Sequence, residues 1–281
     1  MRTKRVGIIS DPHSGHYTGM TPPDWQDENP SPTAWRKAVQ DYQKWAWKTY
    51  TRYIDELGPF DSLIHLGDGV DGKGSKNGGK EQLTTDRDEQ AKMAVEVIKA
   101  TKCKSIYMAR GTEYHTGVSE DWENTIVRQL KENKKYKVEI GNHLFLEVNG
   151  VVISVRHFIG GTSVPQGKAT AVLKEQVNND QWVRAYPSEG DWEVEHHGHP
   201  SASIFLRGHL HRNIVVDEPT TLSIVAPGLQ GWTDFGAKKC PLPVHFGIMA
   251  IDIFGKPENG RRWEWYRRTA QIGQHVQVIK L

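Results

Sequence analysis

Thiol chemistry is nearly absent from this sequence. Its two cysteines, Cys103 and Cys240, stand far apart and no CxxC pair occurs. That excludes a disulfide framework and thiolate zinc sites. Neither sign of charge dominates. The 36 Lys+Arg against 34 Asp+Glu leave a formal net charge of +2, so bulk charge neither announces nor excludes a nucleic-acid partner. No apolar run approaches the ~20 residues that span a bilayer, and no membrane partner is expected. The start, MRTKR ahead of a short strand and an aspartate, lacks the apolar core of a secretion signal. A soluble, reducing, cytoplasmic setting is therefore the expectation. Internal repeats, low-complexity tails and linkers are also missing. The length of 281 residues suits one domain over 1–281, with a core that needs no staples.

Histidine and tryptophan are plentiful instead, at 13 and 10 residues. Many histidines beside few cysteines turn any metal chemistry toward nitrogen and oxygen ligands.

The first half alternates strands with helical periods. Val6, Gly7, Ile8 and Ile9 read as a short buried strand that runs into "ISDPHSG", residues 9–15. Ser31-Pro32 looks like a cap for a long helix whose inward face is Trp35, Val39, Tyr42, Ala46, Tyr50, Tyr53 and Leu57, stopped by Gly58-Pro59. "SLIHLGDG" (62–69) and "SIYMARG" (105–111) are two further strands, with helix expected over 86–102 and after a Ser119 cap. From 137 the pattern alternates and contains Asn149-Gly150, a type I′ hairpin signal. A polar stretch over 160–200, with a helix near 168–177, precedes more strands at 203–209, "LSIVAPG", "VHFGIMAIDIF" and 261–268. Strand–helix alternation followed by antiparallel strands predicts a layered α/β sandwich.

The polar residues at strand ends form a series. Asp11 and His13 follow the first strand, Asp68 the second, and Gly111-Thr112-Glu113-Tyr114-His115 the third. His157 follows the hairpin, and Gly208-His209-Leu210-His211 the strand at 203. Asp-Pro alone is ordinary turn chemistry, and each other member has an equally plain explanation. Such residues at strand ends converge on one rim in open α/β sheets. Carboxylates and imidazoles gathered there suit manganese, iron or zinc.

This order, D-x-H, G-D, a G-x-x-H segment, a lone His and G-H-x-H, resembles the calcineurin-like metallophosphoesterases, with a likeness to phage- or prophage-type members. The motifs span residues 11 to 211. The resemblance implies a four-layer α/β/β/α sandwich and two divalent metal ions, manganese first, iron or zinc next. It implies that Asp11, His13 and His211 bind one ion, His157 and His209 the other, and that Asp68 bridges both. A hydroxide between the ions would attack a phosphate ester in line. The implied activity is that of a phosphodiesterase acting on DNA, RNA or a nucleotide. A phosphomonoesterase, or a binding protein on the same fold that no longer turns over, are the alternatives; the oligomeric state stays open.

The third motif departs from the family's G-N-H. A literal Gly141-Asn142-His143 exists, but it opens a hairpin strand. The segment 111–115 ends a strand and precedes a helix, which is the right context. Glu113 is then expected as the replacement ligand, with Thr112 as a poorer one, and His115 as the acid. Arg110 and Arg156 flank these positions as candidate phosphate clamps. Lys73, Lys76 and Lys80 follow Asp68 in a glycine-rich loop suited to approaching a polyanion. Glu195-His196-His197-Gly198-His199 reads as a solvated loop, His16 as a turn residue, and His65 as a core histidine. Trp45 and Trp47, with Lys44, Lys48 and Arg52, form either a packed surface or a nucleic-acid patch.

Overall fold

A computed structural model describes residues 1–75, 78–162, 164, 167–187, 198–239, 243–258 and 260–272. The chain starts with β1 (Lys4–Ile9), α1 (Ala34–Leu57), β2 (Ser62–His65), α2 (Arg87–Ala100) and β3 (Ser105–Ala109). The short α3 (Glu113–Thr116), α4 (Trp122–Glu132) and β4 (Lys137–Gly141) follow. The second half holds β5 (Leu144–Val148), β6 (Val151–Val155), α5 (Thr170–Ala185), β7 (Ile204–Arg207), β8 (Ile214–Asp217), β9 (Leu222–Val225), α6 (Asp234–Lys239), β10 (Val244–Glu258) and β11 (Arg261–Ile272).

Two sheets result. The first runs β11-β10-β1-β2-β3-β4, the second β5-β6-β7-β9-β8. Strands β1 to β4 are mutually parallel, each joined through a helical crossover, and the β10–β11 hairpin closes the edge antiparallel to β1. In the second sheet β6, β7 and β9 are parallel, with β5 and β8 antiparallel at the edges.

Strand alternation divides the core. Val6, Ile8, Ile64 and Leu66 of the first sheet meet Ile153, Val155, Ile204 and Leu206 of the second. Leu63, Ile106 and Ile248 turn the other way, onto Tyr50, Ile54, Ala94, Ile98 and Ile126 of α1, α2 and α4. On the far side Val172 of α5 packs on Val225. The layers are thus α/β/β/α, the architecture expected. Burying each such aliphatic side chain contributes about 1.5–3 kcal/mol.

Local chemistry sets most boundaries. Asp86 caps α2 by accepting the Asp88 and Glu89 N–H groups. Thr33, not Ser31, caps α1. Asp121, not Ser119, caps α4, because its carboxylate reaches the Asn124 N–H. The turn at Asn149 (φ 52°) and Gly150 (φ 75°) is left-handed at both residues, as a type I′ hairpin requires. One topological expectation fails. The stretch from 137 is no single hairpin sheet: β4 pairs parallel with β3, and the chain crosses at 142–143 to begin the second sheet. The inward face of α1 holds except for Trp35, which is 56% exposed. Trp45 leans on Phe246 and Trp47 packs against the core beside Tyr50, so the packed-surface reading fits both.

Candidate metal centre

The strand-end residues of both sheets come together. Asp11 and His13 leave the end of β1, Asp68 that of β2, His157 that of β6, and His209 and His211 that of β7. Their side chains form three groups: Asp11–His13–His211, Asp68–His157–His209, and His13–Asp71–His115.

The backbone at these positions is unusual. Asp11 (φ 53°), His13 (φ 42°), Asp68 (φ 52°), His209 (φ 70°) and His211 (φ 51°) all adopt left-handed conformations. Aspartate and histidine tolerate this region better than most residues, but it remains strained, and such strain gathers at functional sites. Glycines give these loops room. A Cβ on Gly111 would lie 2.1 Å from Asp68 Oδ1, and one on Gly208 would lie 2.4 Å from Ser10 Oγ.

Hydrogen bonds fix which ligand atoms stay free. Asp11 Oδ2 accepts the Ser10 hydroxyl and the His209 N–H (3.1 Å), leaving Oδ1 buried with no hydrogen-bond partner among the described residues. That oxygen stands 3.3 Å from His211 Nε2 and 3.8 Å from His13 Nε2. The two histidine nitrogens are 3.2 Å apart. Bonds of about 2.1 Å to one ion place ligand atoms roughly 3.0–3.4 Å from one another; the 3.2 and 3.3 Å separations match that spacing, and the 3.8 Å one is wider. In the second group His157 Nδ1 donates to the Leu66 carbonyl, which leaves Nε2 as the atom turned to the site, with no hydrogen-bond partner among the described residues. That nitrogen is 3.0 Å from Asp68 Oδ2, and the same oxygen is 4.0 Å from His13 Nε2. Asp68 therefore stands between the two groups.

The electrostatics call for positive charge. Burial opposes charging His157, yet Asp68 and Asp11 outweigh it and push the ring up to about 10. Burial, with the His115 charge, pulls His13 down to about 4, which keeps its ring neutral and ready to ligate. The donor set of imidazoles and carboxylates could hold metal ions.

Thr112, rather than Glu113, faces Asp68. Its N–H donates to Asp68 Oδ1 at 2.7 Å and its hydroxyl to the same oxygen at 3.2 Å. Glu113 is exposed in the first turn of α3 and joins none of the three groups. His115 does come in: its ring meets His13 edge-on at 4.4 Å, and its Nδ1 donates to the Asp71 carbonyl at 2.6 Å. Arg110 and Arg156 do not. They pair with Asp121 (2.9 Å) and Glu175 (2.7 Å), and neither lines the cleft above the ligands. Asn142 is exposed between β4 and β5. His65 is half satisfied: its Nδ1 accepts the Gly67 N–H while Nε2 has no partner. His16 Nδ1 accepts the Thr18 N–H, as a turn residue does. His199 stacks on Trp182, outside the three groups. Residues 195–197 and Lys76 lie outside the described residues, and Lys73 is paired with Glu120.

Two residues of the site are absent from the sequence argument. Asp71 places Oδ1 3.7 Å from both His13 Nδ1 and His115 Nδ1. Its signal was a second carboxylate in the glycine-rich loop that Asp68 opens. Glu123 is fully buried, and its carboxylate accepts the N–H groups of Gly69 (3.1 Å) and Gly111 (2.7 Å). It ties the Asp68 loop to the 111–115 segment. Its signal was an acidic residue on the inward face of α4, in register with Ile126, Val127 and Leu130.

The sequence matches no protein-family model and no curated protein. Solved structures align with most of the chain at low identity. A novel archaeal phosphodiesterase aligns over 95% of this chain and 99% of its own, at 12% identity and a TM-score of 0.45. Vps29 from Entamoeba histolytica, complexed with zinc, aligns over 94% and 92%, at 11% identity and a TM-score of 0.43. A conserved protein of Streptococcus pneumoniae TIGR4, a predicted phosphoesterase, aligns over 95% and 99%, at 13% identity and a TM-score of 0.34. Among the described residues no helix is long and apolar enough to cross a membrane.

Proposed function

We propose that this protein is a metal-dependent phosphoesterase of the calcineurin-like kind, acting on phosphodiesters of nucleotides or nucleic acid. In this reading Asp11, His13 and His211 hold one divalent ion, His157 and His209 the other, and Asp68 serves both. Manganese is the preferred metal, and a cytoplasmic setting and a likeness to phage- or prophage-type members belong to the same reading. The observation that carries it is Asp68 Oδ2, set between His157 Nε2 (3.0 Å) and His13 Nε2 (4.0 Å) where two groups of free donors meet.

When bound, the ions supply Lewis acidity for water and charge neutralisation for phosphoryl oxygens. The protein's own residues do the rest. Asp11 is oriented by Ser10 and the His209 N–H, so its free oxygen faces the ion site. Thr112 fixes the plane of the Asp68 carboxylate. His115 supplies the acid. Its Nδ1 proton is committed to a carbonyl, so the proton it gives comes from Nε2 of the imidazolium. Water would attack phosphorus and release a proton to solvent, the ester P–O bond would break, and the departing oxygen would take the proton of His115. A cavity of about 750 Å³ over the ligands is the size of a site for an extended ester, which favours a diester over a bare phosphoryl group.

The test begins with protein stripped by chelator and titrated with Mn²⁺. Two ions per chain and faster hydrolysis of bis(p-nitrophenyl) phosphate than of p-nitrophenyl phosphate are expected. Two bound ions with no hydrolysis of either ester would favour a binding protein on this fold. Preference for the monoester would mark a phosphomonoesterase.

A further inference from the structure

A second cavity, of about 350 Å³, adjoins the one above the ligands. Tyr114 and His115 line both. The acid of the proposed reaction thus stands on the divide between two open spaces.

Both cavities carry cations on their walls. Arg110, Arg156, Arg207, Arg261 and Arg268 are all spent on carboxylates. In the larger cavity Lys80, Arg212 and Lys238 have no ion-pair partner among the described residues. In the smaller, Arg87 donates to the Thr85 carbonyl and its charge is felt by Glu120, while its buried Nε has no hydrogen-bond partner among the described residues. Carboxylates share these walls: Asp68, Asp71, Glu81 and Asp234 in the larger cavity, Glu113 and Glu120 in the smaller. Glu120 is neutralised by Lys73 at 2.8 Å, and Glu81 accepts the Asp234 N–H at 2.8 Å. Glu113 and Asp234 stand exposed.

An indole completes each side. Trp232 lines the larger cavity and Trp122 the smaller. The Trp232 Nε1–H has no acceptor among the described residues. Cations interleaved with aromatic faces along a groove are what a single strand needs, because its phosphates take the charges and its unpaired bases stack. A phosphomonoester, or one nucleotide, would need only the larger cavity and would leave Arg87 and Trp122 without a purpose.

Building on the phosphoesterase reading, we propose that the substrate is single-stranded nucleic acid laid across His115 and gripped on both sides of the scissile bond. Such a grip requires no chain end, so the strand is cut internally. Water adds to phosphorus, leaving a phosphate on one fragment and a hydroxyl on the other.

The experiment uses the Mn²⁺-loaded protein with Arg87→Ala and Arg212→Ala variants, one from each side. Wild type is expected to open circular single-stranded DNA. Each variant should lower kcat/KM for a short oligothymidylate by about tenfold relative to bis(p-nitrophenyl) phosphate, chiefly through KM, as expected for a lost charged contact. The salt dependence of oligothymidylate binding, read by fluorescence anisotropy, should weaken by about one phosphate contact per variant. Hydrolysis of the small diester without binding or cleavage of oligothymidylate would overturn this proposal and leave the phosphoesterase standing. An effect of Arg212→Ala with none from Arg87→Ala would overturn it too, in favour of a short nucleotide held on one side. If neither ester is cleaved, anisotropy decides: binding weakened by both variants supports the strand, and no binding refutes it.

Discussion

Replacing Glu123 by glutamine should make the metal-free protein more stable at high pH and a poorer metal binder. Burial, reinforced by the charge of Asp68, pushes this carboxyl from 4.5 up to about 7. Between those values the native protein keeps a proton that the unfolded chain has released. The stabilisation is fully present at low pH and is withdrawn as pH rises toward 7. That interval is worth about 3 kcal/mol. Glutamine copies the shape but cannot ionise. Its NH₂ group must confront the N–H of either Gly69 or Gly111, which costs about 1–3 kcal/mol at every pH. The difference between variant and wild type should therefore move by about 3 kcal/mol in favour of the variant between pH 4.5 and 8. Urea denaturation of chelator-stripped proteins across this range measures it. Curves that stay parallel would refute the reasoning. Metal affinity should fall in the same variant, because Gly69 and Gly111 anchor the loops that carry Asp68 and Thr112.

Asp68→Asn should lose both ions rather than one, read as metal stoichiometry; normal occupancy of both would remove its bridging role. His115→Ala should lower turnover by roughly 10²–10⁴-fold and keep its metals, with a smaller loss on nitrophenyl esters, whose leaving groups hardly need a proton. Thr112→Val should weaken occupancy of the ion beside Asp68 while Glu113→Gln leaves metal content unchanged; the reverse pattern would restore Glu113 as a ligand. Asn142→Ala should alter neither metal content nor turnover, because its side chain is exposed between β4 and β5.

Ligand candidates were legible in the sequence wherever a chemically distinct residue follows a buried strand. Asp11, His13, Asp68, His157, His209 and His211 all obey that rule, and the parallel order of β1, β2 and β3 brings the first two of these segments, with 111–115, to one edge. Side-chain direction was not legible. Arg110 and Arg156 flank the right strand ends, but each has a nearer carboxylate, so ion pairing decides where they point. Glu113 sits one residue beyond the turn. The N-cap geometry at Thr112 starts α3 there and sends Glu113 outward. The fate of β4 was hidden as well. Alternation makes a strand but does not choose its sheet, and pairing with β3 is a long-range decision.

The ligands come from two sheets and lie between positions 11 and 211 in the chain. In a zinc finger the ligands are close in sequence, and the metal can organise a nascent loop. Here the donors of either group meet only after the first sheet has closed on the second. Metal capture is therefore a late event, an inspection of the finished molecule rather than a template for it. A chain with the second sheet detached would hold only fragments of the Asp11–His13–His211 and Asp68–His157–His209 groups, and tight uptake of two ions would report that both halves had docked.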